Sequence, residues 1–557
     1  MKTYLGKTLA LSASLFAMGV ASVAHASENS SENSDVVLDT YNINSDHCLG
    51  CGPVDLKSEA DTADYLNSSR ARLAQRIFDK ANQAPVGQDR FARLLDRLGT
   101  QVVYLDFTQD NPTFPVCALD ASGAPAGVFG IFNDHVYTQD EKDAIQASIE
   151  EDYADFNLIF TQEEPAFGQF STITFAENDA PEDCSQGSNI SITAFGGISV
   201  LFGRADEIDF GNQNKQNFAF TDVSIWEFLG QFAGGQFFEP FANLDVAGDF
   251  DGDLNAAVSF AVTNQGANTG AHELGHTLGL RHQNSFGAPG DGLPTTGAVS
   301  PFDFVPTFDG PIEADETILH TMASGASVGL PFDGGVNIDR FFSERSATRL
   351  AINERFDRLT VDETRRNGQR QDRVQLRRIF VPNTIVEGKN EDSFLDVKAR
   401  IVEGNVSTIG EADSYIISAR KGDFINAEII PVIATNQTFE EGILGQLRVF
   451  QINRDGTETF VGSNLRSFES LFDTEVFDIV VPKTGKYRIE VTAPDEVFIA
   501  DFDGDGIIDP VSLTAAGAPE LQTGDYSLLV FTSNLRMRNF RSVSVNRRDM
   551  LRSKLGR

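Results

Sequence analysis

The sequence predicts an α+β domain built from mixed strands and helices, followed by an all-β sandwich. Its 557 residues exceed what a single hydrophobic core normally organises, so at least two domains are expected. Strand and helix patterns are interspersed up to about residue 359, whereas apolar residues recur with period two after about residue 385. Apolar residues make up 41% of the chain, which is typical of folded domains.

The elements of the first domain follow from the spacing of its apolar residues. The predicted elements are strands over 101–107 and 171–175 and helices over 141–156, about 267–280, and 346–359. The stretch 283–342 is rich in Gly, Pro, Asp and Phe and shows little periodicity. We therefore expect an irregular subdomain between the last two helices.

The helix predicted over about 267–280 carries the most informative residues of the chain. His272 and His276 are four residues apart, so they share one helix face and can bind one metal ion. Glu273 lies beside the first histidine, within reach of a water molecule at such an ion. Gly279 permits a sharp turn that would return His282 as a third imidazole. Three imidazoles with one open position are the ligand set of a catalytic zinc.

The segment His272–His282 resembles the HExxHxxGxxH signature of the metzincin clan of zinc endopeptidases at every fixed position. Metzincins have a methionine turn beneath the metal, and Met322 lies 40 residues after His282. The resemblance implies a metzincin-like catalytic domain over 99–359, with a twisted sheet, a zinc helix and an irregular lower subdomain. Gln283 and Ser324 depart from the common metzincin patterns, so the resemblance reaches the clan and no family within it.

The resemblance implies a Zn²⁺-dependent endopeptidase that acts on protein or peptide substrates. In this interpretation His272, His276 and His282 hold zinc, and Glu273 is the general base for a zinc-activated water. Met322 forms the floor of the site and takes no chemical part. Two alternatives stay open. One is a zinc hydrolase that does not cleave peptides, and the other is a surface or adhesion binding protein with an inactive or highly selective peptidase domain.

The N-terminus has the pattern of a secretion signal, predicted over 1–26. Two lysines precede an apolar run over 9–23, and Ala24-His25-Ala26 forms a small-x-small cleavage site. We expect a secreted protein, extracellular or periplasmic in transit, with no stable membrane insertion. Residues 27–98, polar at first and then helical in pattern, are the candidate pro-region of a zymogen.

The formal net charge of −37 argues against nucleic acid as a partner, because such a surface repels phosphates. Basic residues concentrate in an arginine-rich connector over 360–384 and a tail over 536–557. We expect these stretches to pair with acidic parts of the protein or to be solvated. The sequence leaves the oligomeric state open.

Four cysteines in an exported chain indicate disulfide bonding. The simplest pairing joins Cys117 to Cys184 within the catalytic domain. Two interpretations of the remaining pair stay open. Cys51 lies in a segment that partly resembles the cysteine switch of matrix metalloproteinases, in which a thiolate occupies the open zinc position. Alternatively, Cys48 and Cys51 form a local disulfide.

Period-two segments over 413–417, 475–480, 487–491 and 526–530 predict strands, and their regular turns indicate a β-sandwich. The region 385–535 resembles the pre-peptidase C-terminal domain found behind many secreted bacterial proteases. That resemblance implies a domain that assists secretion or substrate contact.

An acidic loop within this region predicts a Ca²⁺ site. Asp501, Asp503, Asp505 and Asp509 fall at positions 1, 3, 5 and 9 of a calcium loop, with glycine at position 6. Position 12 is Ser512, so the bidentate glutamate of an EF-hand is missing. A solvated acidic turn is the alternative.

Overall fold

The computed structural model describes residues 69–83, 88–108, 112–175, 183–185, 188–194, 198–232, 250, 252–282, 320–322, 336, 340–362, 372–379, 381, 393–430, 432–433, 440–441, 443, 445–463, 474–493, 496–500, 509–512 and 523–537. Of these, the residues within 115–131 and 180–200 form one compact unit, and the others form a second.

The helices of the described residues are α1 (Ser69–Asn82), α2 (Gln88–Leu98), α3 (Gln139–Asp152), α4 (Ile225–Phe232), α5 (Leu254–Thr277), α6 (Glu344–Asn353) and α7 (Phe356–Leu359). The strands before residue 359 are β1 (Gln101–Asp106), β2 (Thr113–Leu119), β3 (Pro125–Asn133), β4 (Leu158–Thr161), β5 (Phe170–Phe175), β6 (Ile190–Ile192), β7 (Ile198–Val200), β8 (Gly203–Ala205) and β9 (Phe218–Thr221).

The smaller unit is organised around a four-stranded sheet with the order β3-β2-β6-β7. Strands β2 and β6 are parallel, and β7 runs antiparallel to β6. Cys117 on β2 forms a disulfide with Cys184, and both cysteines are buried. The pairing predicted from the cysteine count is therefore confirmed.

The larger unit contains a five-stranded sheet with the order β4-β1-β5-β9-β8. The first four strands are parallel, and β8 is an antiparallel strand at the edge. Helices α3 and α5 pack together on one face, where glycines of α5 admit a close approach. A β-carbon built at Gly270 would lie 3.1 Å from Ile149 of α3 and 3.2 Å from Phe175 of β5.

Helices α1 and α2 cover the opposite face of this sheet. Their apolar side chains form a core cluster with Val102, Ile159 and Phe170 of the strands. Successive residues of a strand point to opposite faces of a sheet. These three side chains therefore lie on the face opposite to the side chains that contact α5. The described part of the candidate pro-region therefore packs on the sheet face away from α5.

The predicted elements of the first domain occur in the predicted order, but two of the predicted helices differ markedly in extent, and helix α4 and most of the strands were not predicted. Helix α5 begins at Leu254, well before the predicted start, with Asp253 as its N-cap. The start was missed because α5 is buried on nearly all sides along its second half and lacks an amphipathic stripe. The single helix predicted over 346–359 is interrupted after Asn353 and forms α6 and α7.

The C-terminal region is all-β. Its strands are β10 (Thr360–Asp362), β11 (Asp372–Arg373), β12 (Arg377–Ile379), β13 (Ser393–Leu395), β14 (Val397–Val406), β15 (Ala412–Ala419), β16 (Phe424–Ile430), β17 (Val432–Ile433), β18 (Glu440–Glu441), β19 (Gln446–Ile452), β20 (Glu458–Ser463), β21 (Thr474–Val480), β22 (Gly485–Thr492), β23 (Glu496–Ala500), β24 (Asp509–Ser512), β25 (Gly524–Ser533) and β26 (Leu535–Met537).

Two sheets of this region enclose one apolar core. One sheet has the order β10-β14-β25-β16-β21, with β12 also paired to β14, and the other has the order β11-β15-β22-β19-β20. Inward residues of both sheets, such as Val402 and Ile489, are buried in a common cluster. The hydroxyl groups of Tyr415 and Tyr526 bond across the core at 2.7 Å. Strands β10, β11 and β12 come from the stretch 360–384, so the predicted connector contributes to both sheets.

Several predicted segments lie outside the described residues. They are the signal segment 1–26, the first part of the candidate pro-region up to residue 68, nearly all of 283–342, and the basic tail after residue 537. Among the helices that the structure describes, none combines the length and apolar character required to span a bilayer.

Candidate metal centre

The three motif histidines converge at the end of α5. The Nε2 atom of His272 lies 3.2 Å from Nε2 of His276 and 3.2 Å from Nε2 of His282. Their potential ligand atoms all fall within 4.8 Å of one another. Among the described residues, no other group of three or more His, Cys, Asp or Glu residues has the geometry to hold a metal ion. The spacing of four on the helix aligns the first pair, and the following turn brings in the third.

A glycine turn ends the helix as the motif predicts. Gly279 has φ +86°, a conformation that other residues adopt only with strain. A β-carbon at Gly279 would also collide with the carbonyl oxygen of Asp209 and lie 2.7 Å from Nδ2 of Asn353. The Asn353 amide donates to the carbonyl of Leu278 at 2.8 Å. The turn that presents His282 is thus held from two sides.

Backbone carbonyls orient the imidazoles of the two helical histidines. Nδ1 of His272 lies 2.7 Å from the carbonyl oxygen of Thr321, and Nδ1 of His276 lies 2.9 Å from that of Leu280. A carbonyl can only accept, so each Nδ1 carries the proton and each Nε2 presents its lone pair. Burial and the neighbouring His276 and His282 hold the pKa of His272 well below its ordinary value. The ring is therefore neutral, as a metal ligand must be.

Met322 lies beneath the helix at the level of the histidines. Its side chain is fully buried, and a β-carbon built at Gly275 of α5 would overlap its sulfur. The backbone N–H of Thr321 donates to the carbonyl of Phe341 at 2.9 Å, which fixes the segment that accepts from His272. The position of Met322 matches the sequence-based expectation of a methionine under the site.

His320 belongs to this same segment and is buried, but it is not part of the triad. Its ring packs edge-on against Phe341, with 5.3 Å between the ring centroids. This packing gives His320 a structural place beside Phe341.

Glu273 is buried beside the triad. Burial raises the pKa of its carboxyl to about 8, although His282 and the backbone N–H of Ala205 act in the opposite direction. A carboxyl with a pKa near neutrality can both accept and return a proton at physiological pH. Its position next to three imidazoles is the geometry expected of a general base.

Strand β8 passes directly over Glu273. A β-carbon built at Gly203 would lie 2.8 Å from Oε1 of Glu273 and 2.7 Å from Cγ2 of Thr269. Only a glycine fits there without a shift of the strand or of the carboxylate. The requirement for glycine at position 203 could not be predicted from the sequence, because its contact partners lie on a helix that is remote along the chain.

Other predicted site residues fall outside this centre. Cys51, Asp501, Asp503 and Asp505 lie outside the described residues. Asp509 is described only as the first residue of β24, which pairs with β23. Neither the zymogen switch nor the calcium loop is therefore tested.

No family model matches this sequence, and no curated protein matches it. The chain is similar to the solved pre-peptidase C-terminal domain of a collagenase from Bacillus anthracis at 13% identity and a TM-score of 0.16, covering 29% of this chain and 99% of that one. It is also similar to PliG from Salmonella Typhimurium, a periplasmic inhibitor of g-type lysozyme, at 12% identity and a TM-score of 0.13, covering 30% and 99%. Such low scores carry no argument about function.

Proposed function

We propose that this protein is a zinc-dependent endopeptidase of the metzincin type. The observation that carries the proposal is the convergence of three imidazole Nε2 atoms, from two buried histidines and the half-buried His282, beside a buried carboxylate. The glycine turn supports it, since Gly279 falls where the HExxHxxGxxH pattern requires it, and so does Met322, which packs against Gly275 of the same helix.

The donor set fits zinc in its chemistry. Neutral imidazole nitrogens suit Zn²⁺, and three protein ligands leave one position for water or substrate, as catalytic sites require. A bound Zn²⁺ ion lowers the pKa of a water molecule to about 7 and polarises the substrate carbonyl. The residues His272, His276 and His282 supply that set, with two of them oriented by backbone carbonyls.

Glu273 moves the protons in this proposal. One carboxylate oxygen accepts a proton from the attacking water, and the same group then returns it to the nitrogen of the leaving amine. The N–H of Ala205 and the close backbone of Gly203 hold the carboxylate in place. Positioning of this kind is a large part of catalytic rate enhancement.

Strand β8 is the element proposed to bind the substrate backbone. It is the edge of the five-stranded sheet, and it runs beside α5, where Glu273 lies. An extended peptide can add to such an edge through main-chain hydrogen bonds. The peptide bond to be cut would then lie next to the three histidines.

The cellular setting belongs to the same proposal. The signal-like N-terminus supports secretion, and the strongly acidic composition is consistent with peptide substrates and not with nucleic acid. The all-β C-terminal region is compatible with a pre-peptidase C-terminal type of domain. Calcium binding by the loop over 501–509 stays a prediction.

A comparison of wild type with Glu273→Ala tests the proposal. Both proteins are assayed for zinc content and for cleavage of a denatured protein substrate. We expect both to bind zinc and only the wild type to cleave. Glu150→Ala is the matched control, because Glu150 is a partly buried carboxylate that bonds Gln146 and not the site. It should bind zinc and cleave like the wild type.

Two results would contradict the proposal. If the wild-type protein takes up no zinc, the proposed zinc site is ruled out. A wild-type protein that holds zinc but cleaves nothing, even after removal of the N-terminal segment, would favour the alternative of a binding protein with an inactive peptidase domain.

A further inference from the structure

Three arginines of the first domain meet three acidic residues of the β-sandwich in a buried interface. Nη2 of Arg281 lies 2.6 Å from Oε2 of Glu475 and 3.3 Å from Oε2 of Glu428. Arg349 binds the Glu428 carboxylate through both terminal nitrogens. Arg345 bonds Asp478 at 2.7 Å. These contacts place three guanidinium groups against three carboxyl groups.

These groups are almost completely removed from water. Arg281 and Glu428 are 0% exposed, and Arg345, Arg349 and Glu475 are each 3% exposed. Buried charges are tolerated only when paired, because an unpaired charge keeps its full desolvation penalty. The first domain therefore needs the acidic residues of β16 and β21 to neutralise its own arginines.

The interface continues into the turn that carries the third histidine. Arg281 directly precedes His282 and follows Leu280, whose carbonyl oxygen orients His276. The Arg281 guanidinium also stacks over the ring of Phe210, 5.4 Å from its centroid. The guanidinium group of Arg281 is thus held by the sandwich. The backbone of Arg281 links Leu280, which orients His276, to His282.

Helix α6 connects the same two regions through a single face. Arg345, Arg349 and Asn353 are four residues apart and therefore lie along one side of the helix. The two arginines bind the sandwich, whereas Asn353 bonds the carbonyl of Leu278 at the glycine turn. The turn is consequently braced against the sandwich by Arg281 directly and by α6 indirectly.

We infer that Glu475 and Glu428 of the β-sandwich are positioning residues of the metal centre, which hold Arg281 and through it the ligand His282. The inference rests on the proposed function, since it assumes that the three histidines bind a metal ion. It makes the sandwich an integral part of the catalytic unit, in contrast to a C-terminal appendage that can be removed without effect on the site.

The test uses the full chain and compares two isosteric substitutions in the same interface. Glu475→Gln changes the group that holds Arg281, whereas Asp478→Asn changes the group that holds Arg345 of α6. The dissociation constant for Zn²⁺ is measured by competition with a chelator, and the visible absorption spectrum is recorded with Co²⁺ in place of zinc. Outer-shell substitutions typically cost about 10–100-fold in metal affinity.

We expect Glu475→Gln to weaken zinc binding by about that factor and to alter the Co²⁺ spectrum. Asp478→Asn should affect both much less, because Arg345 reaches the turn only through α6, which Arg349 still anchors to Glu428. If Glu475→Gln fails to fold, the double variant Arg281→Met/Glu475→Gln removes both charges together and avoids an unpaired ion. It should show the same loss of affinity, because His282 has lost its constraint.

Folded variants with the wild-type zinc affinity and Co²⁺ spectrum would overturn the inference, and so would an equal loss in Asp478→Asn. A wild-type protein that binds neither metal is a different outcome, because it rejects the proposed function before any variant is compared.

Discussion

Gly203 of β8 lies so close to Glu273 of α5 that a side chain at this position would displace the Glu273 carboxylate. A β-carbon there would be 2.8 Å from Oε1 and 2.9 Å from Cγ of Glu273. The same strand donates a backbone N–H from Ala205 to that carboxylate. The edge strand β8 therefore restricts the position of the carboxylate that we propose as the general base.

Gly203→Ala should reduce the turnover number strongly while zinc content stays near that of the wild type. A displacement of about 1 Å at a catalytic group can cost on the order of 10²-fold in rate. The measurement is kcat on a peptide substrate, with zinc content as the companion assay. Gly485→Ala is the matched control, because the nearest heavy atom to its β-carbon would be 4.0 Å away. Wild-type turnover in Gly203→Ala would show that β8 tolerates the shift.

Met322→Ala should destabilise the protein, whereas Met322→Leu should have a small effect. The side chain of Met322 is fully buried against Gly275, so truncation leaves a cavity that costs about 2–5 kcal/mol. Leucine has a similar volume and should cost less than about 1.5 kcal/mol. Urea unfolding of both variants measures the difference. Equal losses would indicate that the sulfur atom, and not the filled volume, matters.

A buried charge cluster around His135 should give the protein a pH-dependent stability. Nδ1 of His135 lies 2.8 Å from Glu227, and Nε2 lies 3.2 Å from Glu141. Burial lowers the pKa of His135, but the two carboxylates outweigh it and raise the pKa above the ordinary 6.5. Protonated His135 therefore stabilises the fold below pH 6.5, and this contribution is lost as the pH rises through the elevated pKa.

The free energy of unfolding, measured from about pH 5 to pH 9, should fall less steeply in His135→Gln than in the wild type on the alkaline side. Glu141 acts at more acid pH, below this range. Burial raises its pKa, but hydrogen bonds from Ser259 and Thr138 outweigh burial and lower it below 4.5, so its contribution is lost in acid. Identical alkaline slopes for the two proteins would mean that His135 is not the responsible group.

Loss of the Cys117–Cys184 disulfide should destabilise the smaller unit. The bond closes a loop with a sequence separation of 67 residues, and disulfides typically contribute about 2–4 kcal/mol by restricting the unfolded chain. The variant Cys117→Ala/Cys184→Ala should unfold at lower denaturant concentration than the wild type. Reduction of the wild type provides the comparison, and a variant as stable as the oxidised wild type would contradict the expectation.

Local spacing accounts for most of what could be predicted about the site. The positions of His272, His276 and Gly279 are meaningful in sequence because helix periodicity and glycine backbone freedom act over a few residues. The alternating strands of the sandwich were predictable for the same reason. The early start of α5 at Leu254 was missed, because the helix as a whole lacks an amphipathic stripe that would mark its extent.

The histidine triad, the carboxylate beside it, the disulfide partners and the all-β character of the C-terminal region could be inferred from the sequence. The place of β8 at the sheet edge beside Glu273 and the pairing of Arg281 with Glu475 became visible in the folded chain. These two groups of features differ in the distance along the chain over which their contacts act. Contacts within a helical turn or a strand are set by local geometry, whereas contacts between remote segments depend on how whole sheets and helices pack, which no short pattern encodes.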